Sequence, residues 1–66
     1  MDAAEIYRAA QLMIREHGAS AHDRAKNRQL DMLGQHDILG HAIWGQIAAA
    51  IEELQRTERR EGEKVQ

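Results

Sequence analysis

The chain contains no cysteine, no proline and no phenylalanine, and Tyr7 and Trp44 are its only aromatic residues. Without cysteine there is neither a disulfide nor a thiolate metal site, which fits a reducing compartment, and the expected location is cytoplasmic. Without proline nothing forces a helix to break. Charge of either sign is not concentrated: the net charge is −2 over 66 residues. No stretch is basic enough to attract a phosphate backbone strongly, and none is acidic enough to imitate one. A basic start followed by an apolar run, the mark of a secretory signal, is missing from the N-terminus. The longest stretch free of formal charge, Ile38 to Ile51, is too short to cross a bilayer and suits a buried helix.

What is present is helical patterning. Asp2 is placed as an N-cap with Glu5 three residues on. Ala3, Ile6, Tyr7, Ala10, Met13, Ile14 and His17 follow the 3, 4, 7 spacing of one helical face. Gly18 then ends this helix by taking a left-handed backbone. The second helix starts behind Ser20, and Asp23 favours its positive end. Its apolar face is thin, with Ala21, Ala25, Met32 and Leu33; Gly34 lies where it should stop, yet Gln35 and His36 could extend it another half turn. The third begins at Asp37 as N-cap. Gly40, Ile43, Ile47, Ala50 and Leu54 form its stripe, widened by Trp44 and Ile51. On its other side Ala42, Gly45 and Ala49 form a line of small residues that lets another helix approach closely. Short connections make neighbouring helices antiparallel. The expected fold is all-α, a compact three-helix bundle over about 3–17, 20–34 and 38–58, completed by dimerisation through the third helix. Residues 1–58 form one domain, and the charged residues 59–66 are expected to fray.

Chemistry has little to work with. His17, His22, His36 and His41, with Asp37, could hold a zinc-like ion if the two turns converged. Neither histidine pair has the i, i+4 spacing of a helical ligand set, so helix-end roles are expected and no metal or cofactor is assigned. Ser20, the only serine, is accounted for by capping. No phosphate loop or nucleophile–base arrangement is recognisable, and no enzymatic activity is expected. Arg24, Lys26 and Arg28 give the second helix some basic character and with it an alternative function, a small nucleic-acid-binding regulator. The third helix, which would be the recognition helix by order, has no lysine or arginine before Arg56 and carries Glu52 and Glu53. The favoured function is a protein–protein interaction module, a small regulatory, adaptor or inhibitor subunit that forms a dimer or docks on a larger protein. Leu12 and Leu30 fall off their helices' apolar faces, and Trp44 fits a core position or an interface anchor. The candidate interface is therefore Leu12, Leu30, Ala42, Trp44, Gly45 and Ala49.

The run Glu5-Ile6-Tyr7-Arg8-Ala9-Ala10-Gln11-Leu12-Met13-Ile14, followed by His17-Gly18, resembles the opening of small uncharacterised helical proteins of alphaproteobacteria. Ala42-Ile43-Trp44 followed by Ile47, Ile51 and Leu54 resembles their last helix, so the likeness covers about residues 3–55. Such proteins often have Gly-Asp where this chain has His36-Asp37. The resemblance implies a bacterial helical protein and carries no activity and no site residue.

Overall fold

Helix formation begins where the Asp2 side chain accepts a hydrogen bond from the Glu5 backbone N–H at 3.0 Å, satisfying one of the donors that a helix start leaves without a partner. In the computed structural model, which describes residues 2–65 with side chains through Thr57, α1 spans Ala3–His17. Gly18 follows at φ 55, ψ −125, where a side chain would clash, and its N–H returns to the Ile14 carbonyl. Both ends match the sequence reading.

The connection to α2, Ala21–Gly34, corrects that reading. Gly18–Ser20 forms a 3₁₀ turn rather than a loop, so the backbone winds helically from Ala3 to Gly34 with one change of direction. The chain therefore has two helical stretches, the first bent at Gly18, in place of three helices set apart by loops. With no proline, nothing interrupts the winding. Ser20 sits before α2 but makes no side-chain cap; its hydroxyl donates to the His17 carbonyl at 2.9 Å and tightens the bend.

At the far end of α2 the glycine expected to terminate the helix is its last regular residue. The positive φ falls two residues later, at His36 (φ 61). The His36 N–H reaches the Leu33 carbonyl at 3.0 Å and the Asp37 N–H reaches the Met32 carbonyl at 2.8 Å. These are the paired bonds of a Schellman ending, with histidine where glycine is usual. Asp37 then caps α3, Ile38–Val65, by accepting from the Gly40 N–H at 2.8 Å. The helix continues past position 58 because the segment that follows is rich in glutamate, arginine and lysine and lacks proline. The frayed tail expected at 59–66 lies outside the residues whose side chains are described.

α2 and α3 pack antiparallel along their lengths: His22 lies beside Glu52, and Gln29 and Met32 lie over Gly45 and Gly40. α1 lies across α3 instead. Tyr7 and the Gly18 carbonyl, near opposite ends of α1, reach α3 within one turn of each other, at Glu53 and Gln55. The core is lean. It consists of Ile6, Ile47 and Ile51 with Ala10, Ala21, Ala25, Ala48 and Ala50, and Ile51 is the one large side chain fully buried among the described residues. Ala9, Met13, Ile14, Ile43, Trp44 and Leu54 pack partly exposed around it. α1 buries only Ile6 and Ala10 of its expected face; Ala3 and Tyr7 are exposed.

Two predictions follow from these positions. Gly34 lies in helical backbone with nothing within 4 Å of an added Cβ, so Gly34→Ala raises stability by about 0.5–1 kcal/mol. Relieving the left-handed histidine by His36→Gly gains a similar ~0.5–1 kcal/mol, whereas Gly18→Ala loses about 1 kcal/mol or more. Urea denaturation followed by far-UV circular dichroism orders the three. Ile51→Ala removes about 2–5 kcal/mol, comparable to the ~3–5 kcal/mol that a core of this size supplies. That variant is expected to be largely unfolded at room temperature in the same assay.

Candidate interaction surface

The six residues singled out from the sequence do not form one site. Leu12 is exposed on the outer side of α1 among Arg8, Ala9, Gln11 and Arg15. Trp44 is half-buried in a groove between α1 and α2 that also presents Met13, Glu16, Arg24 and Asp31. Arg28 lies over its ring, 5.7 Å from the centroid, close enough for a cation–π attraction. Neither Leu12 nor Leu30 lines that groove. The line of small residues divides as well. Ala48 is buried with Ala21 and Ala25, and Gly45 is covered by the Gln29 side chain, whose Nε2 would come within 2.6 Å of an added Cβ. The helix that approaches this side closely is α2 of the same chain. Ala42 and Ala49 are left pointing outward and exposed.

Besides Leu30, the structure leaves exposed three large apolar residues that the sequence reading had not assigned to the surface, Leu33, Ile38 and Leu39. Ile38 is 68% exposed, Leu39 72%, Leu30 61% and Leu33 47%. On α3, Ile38 and Leu39 stand four and three residues before Ala42, so all three share one surface. Leu30 and Leu33 are three apart on α2. The Gln29–Gly45 and Met32–Gly40 contacts fix the register and bring them level with the start of α3. Ile38 and Leu39 follow the Asp37 cap directly and were out of phase with the Gly40-Ile43-Ile47 stripe, so a search for one buried face passed over them. The signal that could have revealed them is the absence of formal charge from Ile38 to Ile51: a helix with an ordinary wet face would carry charge there.

The polar groups serve structure. The Tyr7 hydroxyl donates to Glu53 Oε2 at 2.6 Å, and Gln55 Nε2 donates to the Gly18 carbonyl at 2.9 Å, tying the bend to α3. His41 Nδ1 lies 3.0 Å from the Gln29 carbonyl; the carbonyl can only accept, so this nitrogen carries the proton. His22 Nε2 lies 3.6 Å from Glu52 Oε2, which also contacts Arg56 through its other oxygen at 3.7 Å. The two turns are separated by the length of α2, about 21 Å, and do not converge. Among the described residues, no three histidine, aspartate or glutamate side chains are placed to share a metal ion. Arg24 and Arg28, four apart, share one side of α2 in a groove that also holds Glu16 and Asp31. Lys26 projects to the other side of that helix, so the three basic residues present no single face.

No protein-family model, no curated protein and no solved structure matches the chain. Among the described residues no helix is long and apolar enough to cross a membrane.

The Tyr7–Glu53 bond yields a pH prediction. Donation to the Glu53 carboxylate, then that group's negative charge, and lastly burial raise the Tyr7 pKa above its ordinary value near 10. Stability from this bond is fully present below the ordinary value and is lost as pH rises through the raised one. Tyr7 is the only tyrosine, so an ultraviolet absorbance titration reads it alone. The midpoint is expected above that of Glu53→Gln, which returns it toward the ordinary value; equal midpoints would show that the bond does not form in solution.

Proposed function

We propose that this chain is a non-enzymatic protein–protein interaction module, a small regulatory, adaptor or inhibitor subunit that acts by binding another macromolecule. One observation supports it above the rest: Leu30, Leu33, Ile38 and Leu39 stay exposed on a chain whose core holds only three isoleucines and five alanines. Fully burying a leucine or isoleucine is worth about 1.5–3 kcal/mol, so covering these four would add as much as this core itself supplies. Several large apolar side chains left exposed on so small a protein mark a contact. In this reading α1, α2 and α3 act as a three-helix bundle completed by a dimer contact, in the cytoplasm of a bacterium. The absence of cysteine and the resemblance noted above motivate the last two points. Nucleic-acid binding through α2 is the weaker alternative, because Lys26 is set apart from Arg24 and Arg28, and Glu16 and Asp31 share the groove with those two arginines.

Photo-crosslinking in living cells tests the reading. With a benzophenone amino acid at Leu33 or Leu30, ultraviolet light is expected to give discrete protein adducts, and the same probe at Leu12 is expected to give none. If neither α2 position yields a defined adduct, the surface is simply wet and the module reading fails.

A further inference from the structure

We infer that Gly18 is the hinge of a domain exchange, in which α1 and α2 straighten into one helix and each α1 packs on the α3 of a second copy of the chain. This goes beyond the proposed function and uses another surface, the side of α3 that α1 already covers. A cradle vacated by one α1 fits the α1 of another copy residue for residue, so the occupant is fixed by the closed structure itself. The first ground is the backbone of the bend. From Ala3 to Gly34 the only residue with positive φ is Gly18, and Gly18–Ser20 are already wound as a 3₁₀ turn. A rotation centred on that one residue makes the winding continuous. The helix ends that meet there are complementary: the last carbonyls of α1 and the first N–H groups of α2 lack partners within their own helices, and no side chain caps α2. In the straight form they bond to one another, beginning with the Ala19 N–H and the Arg15 carbonyl.

The second ground is how lightly α1 is held and which contacts each form keeps. Its buried residues are Ile6 and Ala10 alone, so it opens at little cost beside the rest of the fold. Their packing on Ile47 and Ile51 is remade between copies, and so is the Tyr7–Glu53 bond. Two features belong to the closed chain only. The Gln55 side chain donates to the Gly18 carbonyl, which in a continuous helix accepts from the His22 N–H instead. Gly18 itself adopts the bend without strain and weakens a helix interior. Gly18 and Gln55 are therefore the latch, and their replacement favours exchange.

Full-length chains are refolded together from urea at high concentration, so that exchange reaches equilibrium, and followed by sedimentation equilibrium over a dilution series. Gly18→Ala disfavours the bend and favours the helix in both copies, and is expected to tighten the dimer on the order of 100-fold or more. Gln55→Ala removes one exposed hydrogen bond per closed chain and tightens it about 10-fold. Ile38→Arg, on the open side of α3, leaves the dimer unchanged. The chain has no cysteine, so Tyr7→Cys and Glu53→Cys chains carry one thiol each. Mixed, refolded and treated with a short bismaleimide, they are expected to give a covalent 7–53 dimer, which two closed chains lying side by side do not form. A Gly18→Ala chain that folds by circular dichroism yet stays monomeric, or a dimer lacking the 7–53 link, overturns the inference. If Gly18→Ala does not fold, Gln55→Ala and the link between chains with the native hinge decide in the same way. Either failure leaves the module reading to its own test, the in-cell adducts at Leu30 and Leu33.

Discussion

The close contact between α2 and α3 through alanine and glycine is what the rest of the molecule is arranged around. Ala21 and Ala25 are wholly buried against a helix that offers Ala48 and, beneath Gln29, Gly45. Dispersion between atoms this close is gained over a long antiparallel overlap even though each side chain is small. The choice has a cost. Alanine removes little apolar area from water, so the aliphatic weight of the fold falls on three isoleucines, and α1 must be laid across α3 to cover Ile47 and Ile51.

That arrangement explains which parts of the fold were legible in the sequence. Helix caps depend on a few neighbouring atoms, and Asp2, Gly18 and Asp37 do what their residue types suggest. The stripe from Ile43 through Leu54 was legible too, because burial repeats with the helical period. So was the end of α2 at Gly34, but the left-handed residue at His36 was not. Ending α2 depends on where the chain must turn to meet α3, and that tertiary demand set the left-handed residue two positions beyond the glycine. The bend at Gly18 was read as a break because helical continuity through a 3₁₀ turn leaves no mark in composition.

The candidate surface was legible only in part, for a related reason. Ala42, Ala49 and Leu30 were found because they stand off their helices' buried faces, and they are exposed. Gly45 was assigned outward on its size, yet size alone does not say which helix approaches; the approaching one is α2. Trp44 was weighed as core or anchor, and the structure gives its ring Arg28 as a cover, an i, j pairing between helices that spacing along one helix cannot show. Ile38 and Leu39 escaped notice because apolar residues beside a cap look like part of a helix start. Only the packed structure shows that, among the described residues, nothing covers them.

The bend tied to α3 by one amide has a further consequence for how the molecule opens. α1 contributes just Ile6 and Ala10 to the buried core, with Ala9, Met13 and Ile14 packed partly exposed against it, and is tied to α3 by single side-chain bonds, Tyr7 to Glu53 and Gln55 to Gly18. The α2–α3 hairpin has its own tight turn and its own continuous seam. Thermal fluctuation therefore lifts the first helix away well before the hairpin parts, and amide protons of α1 trade with solvent through this partial opening while those along the alanine seam wait for the whole chain to unfold.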